Sequence, residues 1–196
     1  MSKDFPKISP TIFLVAGAPA VGKSSTAHQL AAQYPKSIHI PVDDLRDLVV
    51  SGLVYPGEHW SPDLVEQLHL AREIAVEMAI RYSRAGFVVT LDDFWDSNSR
   101  LQEYQQLEQF PGFHKILLYP NRQAAEGRNQ QRAGPGQSNA YIEVGIRIVY
   151  EQLAQEVEGL ERAGWIVLDT SEMDLETTVK FILAQTDPQS APGQGI

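Results

Sequence analysis

Eight consecutive residues, Gly17-Ala18-Pro19-Ala20-Val21-Gly22-Lys23-Ser24, fit the pattern G-x-x-x-x-G-K-[ST], with Ser25 directly after them. The chemistry such a run can do is to hold phosphate. Its glycines permit positive φ and close approach of the backbone, so consecutive N–H groups can turn inward onto phosphate oxygens. A helix opening at Lys23 adds the positive end of its dipole. The lysine then reaches the β and γ phosphates as a point charge, and the Ser24 hydroxyl is placed to ligate Mg²⁺. Chance produces the pattern in about one chain in a hundred. The competing reading is a tight turn followed by a surface lysine.

Further groups of residues bear on what a bound phosphate would do. Asp43-Asp44-Leu45-Arg46 sets a carboxylate and a guanidinium three apart, which on a helix places both on one face. Asp43 can then accept a proton from a hydroxyl while Arg46 holds an anionic group. The plainer reading makes Asp43 a helix cap and Arg46 a surface residue. Asp92-Asp93 ends an apolar run, and Asp92 is assigned the carboxylate that holds the Mg²⁺ hydration shell, with Asp93 as the alternative. Arg128 and Arg132 are four apart, so they face one way beside Gly134-Pro135-Gly136, a hinge that would let their helix close as a lid. One of the two is expected to stabilise charge on the phosphoryl group in flight. Trp60, Phe94 and Trp95 can stack on a ring of an acceptor, although packing is the commoner use of such aromatics. The five histidines show no paired metal spacing and are read as structural.

The elements that must position these residues follow from hydrophobic periodicity. Residues 11–16, 37–41, 87–91, 114–119 and 165–168 read as strands. Helices are expected at 23–33, 43–52, 62–86, 100–110, 121–132, 141–163 and 175–184, with Ser61 and Pro62 as N-cap and first residue of the third. Strands alternating with helices predict an α/β fold of three layers, a five-stranded parallel sheet with helices on both faces and a small helical lid. Ligands in such folds bind at the carboxyl ends of the strands. Residues 1–186 are read as one domain. Residues 187–196, rich in Pro, Gly, Gln and Ser, read as a disordered tail.

Composition narrows the classes further. A chain of 196 residues with 43% hydrophobic side chains supplies one core of ordinary size. No apolar run approaches the roughly 20 residues of a membrane span, and the first ten residues lack the form of a secretory signal. The absence of cysteine excludes disulfides, thiolate nucleophiles and cysteine-ligated zinc, and suits a cytoplasmic protein. A net charge of −9, from 16 Lys and Arg against 25 Asp and Glu, disfavours the broad basic surface that nucleic acid needs. Arg122, Arg128 and Arg132 nevertheless cluster within eleven residues, a local hint of an anion site. A guanine-reading N-K-x-D segment is absent. No glutamate or histidine directly follows Asp92-Asp93 as a water-activating base would, which favours transfer to a hydroxyl over hydrolysis.

Gly17 to Ser24, followed about twenty residues later by Asp-Asp-x-Arg, resembles the P-loop kinases of the polynucleotide 5′-kinase type, the AAA_33-like ATP-binding proteins. It resembles the zeta toxins and chloramphenicol phosphotransferase more loosely. The resemblance implies that Asp43 is the general base and that Arg46 contacts the acceptor. It also implies that Arg128-Asn129-Gln130-Gln131-Arg132 is the lid helix and that Asp169-Thr170-Ser171 flanks adenine. Where the group carries a short polar loop, this chain has Asp92-Asp93-Phe94-Trp95-Asp96. The expected function is ATP- and Mg²⁺-dependent transfer of the γ-phosphate to a hydroxyl of a small-molecule acceptor. The alternatives are a polynucleotide or nucleoside 5′-kinase and an ATP-binding module without an acceptor.

Overall fold

The computed structural model describes residues 11–56, 60–133 and 140–186. In chain order the elements are β1 (Thr11–Gly17), α1 (Lys23–Ala31), β2 (Ser37–Pro41), α2 (Val42–Asp47), α3 (Pro62–Arg84) and β3 (Val88–Phe94). A 3-10 helix (Gln102–Gln109), β4 (Gly112–Leu118), α4 (Arg122–Ala133), α5 (Ala140–Arg162), β5 (Trp165–Leu168) and α6 (Leu175–Thr186) follow. All strand pairs are parallel, in the order β2-β3-β1-β4-β5. The central strand, β1, is apolar at every position from Ile12 to Ala16 and fully buried there, as a strand covered on both faces must be. On one face α1 packs with α6, and α3 and α5 cover the other. Right-handed crossovers produce that division.

Register is what matters for the site. Val15 pairs with Asp92, Ala16 with Asp93 and Gly17 with Phe94, while Pro41 of β2 also pairs with Asp92. The carboxyl ends of β1, β2 and β3 therefore stop at one level, and the segments leaving them share one edge.

Three elements depart from the sequence reading. β3 runs past Leu91 to Phe94, because β1 offers pairing partners that far, so Asp92 and Asp93 lie inside the strand. The helix expected to reach residue 52 ends at Asp47, leaving Leu48 74% exposed, because side chains from α2 and α3 hold the chain at Gly52 and Val54. Residues 102–109 form a 3-10 helix entered through two left-handed residues, Arg100 (φ 51°) and Leu101 (φ 54°). Elsewhere α3 begins as expected, Ser61 Oγ accepting from the Leu64 N–H with Pro62 in the first turn. Its buried stripe, Leu64, Leu68, Ala71 and Ala75, then drifts to Ala79 and Ser83, which leaves Tyr82 at the surface. The Gly134-Pro135-Gly136 hinge and the 187–196 tail lie outside the described residues. Among those residues no helix is long and apolar enough to cross a membrane.

Candidate active site

The loop after β1 needs glycine at both ends. Gly17 has φ 152°, and a Cβ there would lie 2.6 Å from the Leu118 carbonyl oxygen of the neighbouring strand. Gly22 caps α1 at φ 97°, ψ 17°, the left-handed region. Lys23 follows, buried, its Nζ donating to the Ala18 carbonyl at 2.9 Å. Burial pushes its pKa down, against the opposing pull of Asp43, Asp92 and Asp93.

Ser24 Oγ donates to Asp92 Oδ1 at 2.8 Å, and His39 Nε2 lies 2.6 Å from the other oxygen, Oδ2. The serine and carboxylate oxygens, both hard donors and in contact, suit Mg²⁺. No group of three or more His, Asp or Glu able to hold a metal occurs among the described residues.

A cleft of about 850 Å³ opens from this loop. Lys23, Ser24, Ser25 and Asp92 line it, as do Arg128 and Arg132 of α4, Asp43, Arg46, Trp60 and Phe94. Asp43, in the first turn of α2, is 61% exposed. Arg46 Nη1 is 3.5 Å from Asp43 Oδ1, but the side chain is only 6% exposed and Nη2 donates to the Val54 carbonyl at 2.8 Å. Gln67 of α3 reinforces that loop from the other side, accepting from Val54 N–H at 3.0 Å and donating to the Gly52 carbonyl at 2.8 Å. Trp60 and Phe94 meet edge to face, 6.4 Å between centroids. Trp95 is 1% exposed, sits edge-on to Trp165 and donates its indole N–H to Glu156, so packing dominates there.

The two arginines of α4 do different things. Arg128 donates to the Thr170 carbonyl at 2.6 Å and to the Val21 carbonyl at 3.2 Å, tying α4 to the phosphate loop and to the loop after β5. Arg132, one turn on, is exposed and lines the cleft. Asp169 and Thr170 do not line it. Asp169 accepts from the Ser171 N–H at 2.8 Å and from the Ser171 hydroxyl, which holds its carboxyl below the usual range, and Thr170 is buried.

Two contributors carry no clear motif for this role in the sequence. His39 lacks any paired metal spacing and reads as structural, yet β2 places it on Asp92. Arg72 of α3, 1% exposed, donates Nε to Asp93 at 2.7 Å and Nη1 to Asp96 at 2.8 Å and to Ser99 at 3.0 Å. Its guanidinium lies 5.3 Å from the Phe94 ring centroid, and Tyr104 O–H donates to Asp93 at 3.0 Å. Burial pushes the Asp93 carboxyl up while Arg72 pulls it back, and the Arg72 pKa is raised in turn. Asp93 is therefore committed to Arg72, leaving Asp92 as the carboxylate beside Ser24. The signal was available: Arg72 is four residues after Leu68, a charge on an apolar stripe.

A parallel sheet whose first strand runs through a glycine-rich loop into a buried lysine defines a P-loop fold. The AAA domain family matches residues 12–167, most of the chain, and the protein belongs to that family. No curated protein matches it at the sequence level. Among solved structures it is similar to a sugar kinase from Janibacter sp. HTCC2649, at 16% identity and TM-score 0.61, covering 93% of this chain and 99% of that one. A gluconokinase from Sinorhizobium meliloti 1021 matches at 18% identity and TM-score 0.61, over 90% and 91% of the two chains. Shikimate kinase from Bacteroides thetaiotaomicron matches at 10% identity and TM-score 0.59, over 89% and 97%. The fold is thus that of the P-loop kinases.

Proposed function

We propose that this protein is a cytoplasmic phosphotransferase that uses ATP and Mg²⁺ to phosphorylate a hydroxyl of a small molecule. The observation that carries the reading is one cleft lined together by Lys23, Ser24, Asp92 and the exposed carboxylate of Asp43. The similar folds named as small-molecule kinases support it. So does the acidic balance of the chain, which leaves few cations to track a nucleic-acid strand.

In this mechanism the loop from Gly17 to Ser25 cradles the phosphates through its N–H groups, and Lys23 lies along the β and γ oxygens. Ser24 and Asp92 would hold Mg²⁺, which would supply positive charge against the phosphates during transfer. Asp43 takes the proton of the acceptor hydroxyl as its oxygen attacks the γ-phosphorus and the bond to the β-bridging oxygen breaks. Arg132 steadies the transferring group, while Arg128 fixes α4 against the loop that flanks the base, Asp169 and Thr170. Arg46 positions Asp43 and the wall at Val54 rather than gripping the acceptor directly.

The test is transfer of labelled γ-phosphate to a panel of sugars, nucleosides and amino sugars, with 5′-hydroxyl oligonucleotides alongside. Small alcohols should be labelled with Mg²⁺ present, and ATP with Mg²⁺ should raise the melting temperature. Labelling of the oligonucleotides alone would move the reading to a polynucleotide kinase.

A further inference from the structure

Asp92 has a second polar partner that does not itself line the cleft, His39 of β2. His39 pairs in register with Thr90, two residues before Asp92, and alternate residues of a strand share a face, so β2 and β3 bring imidazole and carboxylate to the same side of the sheet. Nε2 and Oδ2 are 2.6 Å apart. A carboxylate only accepts, so the imidazole N–H donates. Both side chains are largely shielded from water, at 15% and 7% exposed.

Ser24 and His28 are one turn apart on α1 and so face one way. Ser24 Oγ donates to Asp92 Oδ1 at 2.8 Å, and the His28 ring meets the His39 ring edge to face at 5.9 Å. These contacts close a circuit through α1, β3 and β2: Ser24 to Asp92, Asp92 to His39, His39 to His28, and His28 back to Ser24 along the helix. Each oxygen of Asp92 has its own donor. Turning the carboxylate would break those bonds, so it has one orientation. Stability alone would be served by His39 on either oxygen, whereas its use of Oδ2 leaves Oδ1 beside the Ser24 hydroxyl.

Resting on the phosphotransferase reading, we propose that His39 is a positioning residue for the Mg²⁺ site, holding Asp92 so that its Oδ1 and the Ser24 hydroxyl are offered together. His39 touches neither the ion nor the phosphates. A carboxylate left to rotate would lose that freedom on binding an ion, and the lost entropy would weaken the site. Partners that orient a metal ligand in this way contribute about 10- to 100-fold in metal affinity. No proton or phosphoryl group passes through His39. Its removal should therefore appear as weaker metal binding that added Mg²⁺ largely overcomes, with the phosphate loop still able to take ATP.

Three variants test this. His39→Phe keeps a ring against His28 but has no N–H, His39→Met has the reach but neither ring nor N–H, and His39→Gln returns an N–H donor. Binding of Mn²⁺ in the presence of a nonhydrolysable ATP analogue, read by electron paramagnetic resonance, should weaken about 10- to 100-fold in His39→Phe and His39→Met and recover for the most part in His39→Gln. The Mg²⁺ concentration for half-maximal transfer should rise in parallel, while binding of the analogue in EDTA stays at the wild-type value. Wild-type Mn²⁺ affinity in a folded His39→Phe or His39→Met protein would overturn the proposal. So would equal weakening in His39→Gln, equal loss of analogue binding in EDTA, or failure of both donor-free variants to fold, which would make His39 a residue of stability alone. If wild-type protein took up no Mn²⁺ with the analogue, the phosphotransferase reading would fall, and the role of His39 with it.

Discussion

In the Gly17 to Ser24 loop the groups proposed to bind phosphate are backbone N–H groups and two side chains delivered by one turn. On the other walls of the cleft the candidates are side chains that other side chains hold, Asp43 beside Arg46, Phe94 beneath Arg72, and the 52–54 loop pinned by Gln67. The first kind of site is fixed by local backbone conformation, so few residue types satisfy it. The second depends on long-range packing, so it can change its ligand while the fold stays.

That contrast breaks most sharply at Lys23. Lys23→Ala should abolish transfer to every acceptor and remove the melting shift with ATP and Mg²⁺, measured by labelled-phosphate assay and thermal melt. Asp43→Asn should lower kcat by about 10²- to 10⁴-fold with the ATP shift intact, separating chemistry from phosphate binding. Wild-type turnover in that variant would return Asp43 to the role of helix cap.

Arg132→Ala should lower kcat by about 10²-fold with little change in the KM for ATP, and Lys should restore it only in part. Arg128→Ala should weaken ATP binding more than turnover, since Arg128 braces Val21 of the glycine-rich loop and Thr170 after β5. Identical kinetic changes for the two would erase the distinction between them. Arg72→Met leaves Asp93 buried without its cation and should cost about 3–5 kcal/mol of stability, read as a drop in melting temperature of about 10 °C. In the surviving folded protein the KM for the acceptor should rise more than that for ATP.

The smallest effect lies in the loop after β5. Asp169 has its pKa depressed from 3.8 by the Ser171 hydrogen bonds, so its contribution is present above 3.8 and fades as pH falls through the lower folded value. Ser171→Ala should move that titration back up, seen in carboxyl chemical shifts, with stability at neutral pH reduced by well under 1 kcal/mol because the group is exposed.

The parallel sheet was legible because apolar runs, turn residues and amphipathic helices each follow local rules. Residues 102–109 and the early end of α2 were not, because distant partners decide them, as Gln67 does at Gly52 and Val54. In the same way Gly17 to Ser24 announced itself, whereas Arg72 on Asp93 and His39 on Asp92 arise from the order in which strands pair. A charged residue on a buried stripe, such as Arg72, signals a partner without naming it. Arg46 shows the converse: its spacing from Asp43 was readable, but its commitment to the Val54 carbonyl was not.

The chain has three tryptophans, and their placement gives the molecule two separate optical reporters. Trp95 and Trp165 meet edge to face at 5.6 Å in the core, close enough for their excited states to couple and to give a near-ultraviolet circular dichroism signature of intact packing. Trp60 is half-buried in the cleft beside Phe94, so its emission should change when a ligand enters there. A Trp60→Phe variant would silence the second signal and keep the first, so acceptor docking and unfolding can be followed in one cuvette without a label.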